Sequence, residues 1–296
     1  MTMKPIYQAM LLTVIILFFA LINGGEEVGS ALDNSHTSFG AASLEGYRSL
    51  DVSPDIKDVT SRAVGVYGLN GEKIFLWESD KKWPIASITK LMTALVASDL
   101  IEREKSIYIT AGALSVEGGP GGFSEGESFL MKDLFKPLLV ASSNVAAEAM
   151  ASHYGRERFV AAMNRYAGRL DMNDTLFIDP TGLSINNQST VADLEKLVSF
   201  IYKTKPEIFD ITRKKNIIIS DARTGKTLQF VNTNLFASLP NFIGGKTGTI
   251  PEAVGNLISM FSIEALDSQG IVIILLGSEN RFIETQKILN LYGRRS

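Results

Sequence analysis

The sequence contains no cysteine and only two histidines. Without cysteine there is no disulfide, no thiolate metal site and no thiol nucleophile. Two histidines cannot supply a multi-histidine metal site, and His36 stands near the N-terminus in a stretch with little periodicity. A serine–histidine–carboxylate triad would therefore depend wholly on His153, within an alanine-rich helical stretch. Hydrolytic chemistry in this chain needs another base. Basic residues are not in excess either: 29 Lys and Arg stand against 32 Asp and Glu, a net charge of −3, which excludes nucleic acid as a partner. A hydrophobic content of 45% with 21% charged residues describes a globular chain able to bury a sizeable core.

Charge is also missing from Ala9–Ile22, AMLLTVIILFFALI, which follows Lys4 and precedes Glu26, Glu27 and Asp33. That polarity predicts export of everything downstream. The run suits a signal-peptide core. Extended back to Ile6 it reaches the short end of a membrane span, and the lack of a convincing A-x-A site favours an uncleaved anchor. Residues 1–25 therefore read as signal peptide or membrane anchor, and the Gly-, Ser-, Asn- and Asp-rich residues 26–58 as a flexible linker. A folded domain is expected over 59–296.

Within it, Ala63–Tyr67 and Lys73–Trp77 flank Asn70-Gly71, a strong hairpin signal. The spacing predicts a helix over Ala86–Leu100, then helix-like stretches at Leu130–Tyr154, Arg156–Leu170 and Thr190–Lys203, an all-helical insert over about 101–206. After Pro206 the pattern becomes β-rich at Asn216–Ser220, Thr227–Val231, Ile243–Thr247, Leu257–Ile263 and Ile271–Leu276, and Arg281–Tyr292 reads as a closing helix. The order predicts a mixed α/β fold: an antiparallel sheet built from both chain ends, with flanking helices and the inserted helical subdomain.

Three short motifs can carry chemistry. Ser87-Ile88-Thr89-Lys90 puts a hydroxyl and an amine at i and i+3 on one helical face, so lysine can take the serine proton without histidine. For that Lys90 must be partly neutral, which burial and a second cation would bring about. As a bland alternative, Ser87 is simply a helix cap. Ser142-Ser143-Asn144 follows LLVA and precedes an alanine-rich helix; its hydroxyl and amide can point into one cleft, or merely cap that helix. Lys246-Thr247-Gly248-Thr249, after Gly244-Gly245, reads as an edge strand where a substrate backbone could pair and an anion be held, or else as a strand with an exposed lysine. Each motif is common alone. As an ordered set they are specific.

The S-x-x-K, S-x-N, K-T-G series resembles the penicillin-recognising serine enzymes. The blocks PIASITKLMTALVA, LLVASSN, FIDPTGLSINNQSTVADL, NTNLF, GGKTGT and LLGSENR narrow the likeness to the low-molecular-mass D-alanyl-D-alanine carboxypeptidases, from about Val59 to Tyr292. The resemblance implies a β-lactamase/transpeptidase-like fold. It also implies an acyl-enzyme on Ser87, with Lys90 as base and Ser142 and Asn144 in proton transfer. Lys246, Thr247, Gly248, Thr249 and Arg281 would bind substrate, and backbone amides of Ser87 and Thr249 would hold the oxyanion. Peptidoglycan stem peptides ending in D-Ala-D-Ala are the implied substrate, β-lactams the implied covalent inhibitors, the cell envelope the implied location. No metal or organic cofactor is implied. Thr233 in NTN stands where some members carry a carboxylate-binding arginine, so a D,D-endopeptidase cutting cross-links is the companion expectation to carboxypeptidase; a catalytically silent peptidoglycan-binding homologue is a third. No E-x-x-x-N signature occurs between the second and third motifs, so efficient β-lactam hydrolysis is not expected. The chain runs out at LNLYGRRS, which leaves the N-terminus as the expected anchor.

Overall fold

A computed structural model of the chain describes residues 59–118, 121–263 and 270–293, so the expected anchor or signal at 1–25 and linker at 26–58 lie outside the described residues. The described chain opens with the hairpin of β1 (Ala63–Gly68) and β2 (Lys73–Trp77), whose turn places Gly71 at φ +90, a left-handed conformation that glycine adopts without strain. Then follow β3 (Trp83–Pro84), a short 3-10 turn at Ala86–Ile88, α1 (Thr89–Leu100), β4 (Ser106–Tyr108), α2 (Ala111–Leu114) and β5 (Ser128–Leu130). Helices α3 (Met131–Val140), α4 (Asn144–Tyr154) and α5 (Arg156–Arg169), strand β6 (Gln188–Ser189), and helices α6 (Val191–Thr204) and α7 (Glu207–Thr212) complete the middle. The last third holds β7 (Asn216–Ser220), β8 (Thr227–Val231), β9 (Phe242–Gly248), β10 (Asn256–Ser262), β11 (Gly270–Leu276) and α8 (Arg281–Gly293).

Both chain ends supply one five-stranded antiparallel sheet of order β2-β1-β11-β10-β9. Its middle strand β11 is apolar and buried at every position because each face is covered. On β11, Ile271, Ile273 and Leu275 pack with Ile288 and Leu289 of α8, while Val272, Ile274 and Leu276 join the core shared with the helical middle. The alternation follows from the two-residue period of a strand. The sheet and the helical middle belong to one unit.

Three local expectations change. The stretch expected as an all-helical insert over about 101–206 also carries the two-stranded sheet of β4 and β5 and the strand β6, which pairs with β3; strands of two or three residues are too short to show a period in the sequence. Asn216–Ser220 and Thr227–Val231 pair only with each other, as a separate two-stranded sheet. Their burial alternates, Ile217 and Ile219 inward and Ile218 59% exposed, so this ribbon has one covered face and could not have served as a central strand. The apolar stretch over Leu130–Tyr154 is interrupted at 141–143, where Ser142 adopts φ +57. A helix cannot continue through a left-handed residue, and this break is what places the second motif in a turn.

Helix α1 is the central piece. From Thr89 to Ala97 every residue is buried, so it has no solvent face to be amphipathic about. Lys90 rides into the core with it. Edge strand β9 lies against the turn preceding α1: a Cβ on Gly248 would come within 2.7 Å of the Ile85 carbonyl oxygen, and one on Gly245 within 2.1 Å of the Ile258 carbonyl oxygen of β10. The glycines of GGKTG thus permit backbone approaches that any side chain would block.

Candidate active site

Ser87 sits in the 3-10 turn, after Ala86 at φ +50, and no side chain caps either this turn or α1. The bland reading of Ser87 as a cap is therefore wrong. Its hydroxyl oxygen instead accepts a 2.8 Å hydrogen bond from Lys90 Nζ, one helical turn on. The same ammonium donates to Asn144 Oδ1 at 2.7 Å and to the Thr181 carbonyl at 2.6 Å. Burial, opposed by the charge of Asp179, lowers the Lys90 pKa to about 7. Near neutrality the amine is therefore deprotonated for part of the time, and it then offers a lone pair with Ser87 already in reach.

The second motif divides its labour between adjacent serines. Ser143 is the cap, its hydroxyl accepting from the Ala146 amide at 3.1 Å. That frees Ser142, turned the other way by its left-handed backbone, to accept from Lys246 Nζ at 2.8 Å. Asn144, the first residue of α4, meets Lys90 with its oxygen and donates through Nδ2 to the Glu117 carbonyl at 2.7 Å. Lys246 also donates to the Thr247 carbonyl at 2.8 Å. It is 1% exposed rather than on a solvated strand face, and burial, then the charges of Lys90 and Arg281, holds its pKa well below the ordinary lysine value.

At the far end of β9, the Thr247 and Thr233 hydroxyls lie 2.9 Å apart. Arg281 Nη1 donates to the Gly248 carbonyl at 2.8 Å and to the Thr249 hydroxyl. All nine residues singled out by sequence are thus linked by short contacts around the Ser87 turn and the end of β9. His153 is excluded: it is nine residues beyond Asn144 on α4, roughly 13 Å along the axis at 1.5 Å per residue.

The FIDPTGLS block supplies what the motifs alone do not reveal. Asp179 Oδ1 accepts from the Thr181 amide (2.7 Å), the Thr181 hydroxyl (2.6 Å) and the Gly182 amide (2.7 Å), while Oδ2 accepts from the Ser184 amide at 2.8 Å. Burial would raise its pKa, but these bonds win and lower it, keeping the carboxylate charged near Lys90. The turn it organises aims the Thr181 carbonyl at Lys90. Buried Asn187 fixes the turn to α1, donating to the Asp179 carbonyl at 2.9 Å and to Thr89 Oγ1 at 3.1 Å. The sequence signal was there: aspartate followed by proline and glycine spells a side-chain-stabilised turn.

Gly182 is where this turn meets Ser87. A Cβ there would lie 1.9 Å from the Ala86 carbonyl oxygen and 2.9 Å from the Ser87 amide nitrogen, and its φ of +86 disfavours any L side chain. Gly182→Ala is expected to displace the Ser87 turn, cutting covalent labelling by a fluorescent penicillin at least about 100-fold and lowering stability by ~2 kcal/mol. Stopped-flow labelling and denaturant titration check both; a variant that labels at the parent rate would show that the packing does not set the serine's position.

An antiparallel sheet covered on both faces, with a serine–lysine pair under its edge strand, defines the penicillin-binding fold class. Penicillin-Binding Protein D2 from Listeria monocytogenes in its cefotaxime-bound form superposes with a TM-score of 0.68 at 27% identity, over 78% of this chain and 96% of that one. The D-alanyl-D-alanine carboxypeptidase family matches residues 51–278, and the chain belongs to it. Among its relatives, a D-alanyl-D-alanine endopeptidase of Escherichia coli is 35% identical over 182 residues, covering 60% of this chain and 58% of its own length. The D-alanyl-D-alanine carboxypeptidase DacC of Escherichia coli is 29% identical over 240 residues, 74% of this chain and again 58% of its own length. The chain thus matches less than two thirds of these two relatives.

Proposed function

We propose that the chain is a serine-type D-alanyl-D-alanine carboxypeptidase that trims peptidoglycan stem peptides through an acyl-enzyme on Ser87. The observation that carries this reading is the 2.8 Å contact between Ser87 Oγ and a fully buried lysine whose pKa is lowered to about 7. Ser87 Oγ attacks the carbonyl carbon of the penultimate D-alanine while its proton passes to Lys90. The oxyanion is held by the amides of Ser87 and Thr249, a type of stabilisation worth about 10²–10³ in rate per donor. Collapse breaks the C–N bond, and Ser142, beside Lys246 and Asn144, passes a proton to the departing D-alanine amine. Water then cleaves the ester and restores the serine. Thr247, Thr249 and Arg281 hold the terminal carboxylate, and β-lactams acylate Ser87 in the same way.

A second reading, a D,D-endopeptidase cutting cross-links, is favoured by the neutral Thr233–Thr247 pair and by the relative of that name at 35% identity. Purified protein given a pentapeptide monomer and a cross-linked dimer separates the two. Free D-alanine from the monomer is the expected product; cleavage of the dimer alone overturns the carboxypeptidase assignment and supports the second.

The leader gives the location. We assign residues 1–25 to export and attachment at the cytoplasmic membrane and 26–58 to a linker, with the catalytic domain over 59–296 working in the cell envelope. Among the described residues no helix is long and apolar enough to cross a membrane. A mature protein that keeps Met1 and sediments with membranes supports the anchor, whereas a cleaved and released one overturns it.

A further inference from the structure

Among the buried carboxylates with no role in the steps above, Glu284 stands next to the proposed carboxylate-binding residue. Glu284 lies three residues after Arg281 in the first turn of α8 and is 1% exposed. Its Oε1 accepts from the Thr60 amide at 2.9 Å and the Thr60 hydroxyl at 2.6 Å, and its Oε2 from the Ser61 hydroxyl at 2.5 Å. Burial would raise its pKa, but hydrogen bonds from Ser61, Thr60 and Ser278 lower it, so the group stays charged. These partners are neutral hydroxyls and an amide. A buried charge satisfied by several short bonds fixes its neighbours more tightly than a single contact can.

What it fixes is the connection from β11 to α8. Thr60 Oγ1 also accepts from the Glu279 amide at 2.9 Å, and the Arg62 amide donates to the Leu276 carbonyl at 2.8 Å. The Asn280 amide is held by Ser278 Oγ at 3.1 Å, and the Ser278 amide by the Gly255 carbonyl at 2.8 Å. Residues 60–62 therefore grip Leu276–Asn280 immediately before Arg281. The side chain of Arg281 is itself held by the Gly248 carbonyl, 2.8 Å from Nη1, and lies over the Phe282 ring, 5.3 Å from its centroid.

We propose that Glu284, clamped by Thr60 and Ser61, is a positioning residue that sets the reach of Arg281 toward the Thr249 end of β9, and so governs substrate carboxylate binding. The inference rests on the reading of Arg281 as a carboxylate-binding residue. It separates binding from chemistry, because Ser87 and Lys90 are held by α1 and the Asp179 turn and not by α8.

Steady-state kinetics on a D-Ala-D-Ala pentapeptide test it with the full-length chain. Glu284→Ala is expected to raise KM about 10-fold with kcat within about twofold, and Glu284→Gln, which keeps one acceptor oxygen, to raise it less. Ser61→Ala, which removes one donor and is mild enough to leave folding intact, should shift KM in the same direction by about two- to threefold. In an Arg281→Ala background these substitutions should have no further effect, because the residue they act through is gone. Equal effects in both backgrounds, or a fall in kcat at constant KM, overturn the clamp alone. An Arg281→Ala protein with unaltered KM overturns the reading of Arg281 and the clamp with it.

Discussion

Ser87→Ala is expected to abolish covalent labelling by a fluorescent penicillin and to lower peptide hydrolysis at least about 10⁴-fold, in keeping with the loss seen when an acyl-enzyme nucleophile is removed. The size of the effect follows from the lack of a substitute. Ser142 belongs to a different lysine, donating partner Lys246, and Ser143 is committed to capping α4. With no cysteine in the chain and His153 at the wrong end of α4, neither a thiol nor a histidine base can take the place of Ser87 and Lys90. The fold should survive the change. Lys90 would retain Asn144 Oδ1 and the Thr181 carbonyl as acceptors, and Ser87 caps neither the turn nor α1. Gel fluorescence after labelling, beside a thermal melt, reads both quantities; labelling of the alanine variant at the parent level would remove Ser87 from the mechanism.

The spacing of chemistry is largely legible in the sequence, and the reason is physical. Ser87 and Lys90 are joined by the helical repeat itself, and the GGKTG glycines announce a backbone that something must approach closely. Hairpin, central strands and closing helix were likewise written in local pattern. Long-range geometry was not. Nothing in the order of residues says that the Thr181 carbonyl is the third acceptor of Lys90, since that contact crosses 91 positions. The clamp on Glu284 crosses more than 220. Short pairs such as β3 with β6 were also invisible, being two residues each and owing their existence to tertiary contacts. The ribbon β7–β8 was misplaced because period-two patterning identifies a strand without naming its partner.

The rate of acylation should rise with pH through about 7, and Lys90→Met should lower it by about 10²–10⁴-fold and flatten the profile, the range a lost general base produces. The sign follows from the amine. Below its pKa Lys90 is an ammonium with all three protons engaged by Ser87, Asn144 and Thr181, and it cannot accept the serine proton. As pH rises past about 7 the neutral form dominates and the rate reaches a plateau. Asp179 gives a sharper check, because its charge opposes the effect of burial and raises the lysine pKa. Asp179→Asn removes that charge while keeping one oxygen for the turn, so the rising limb should move to lower pH even as the plateau falls about 10-fold from the loosened Thr181. A purely structural role for Asp179 would lower the plateau and leave the limb where it was. Stopped-flow labelling between pH 5 and 9, bracketing the limb on both sides as a titration near neutrality requires, distinguishes them. A limb that moves to higher pH, or one that persists in Lys90→Met, would assign the base to another group.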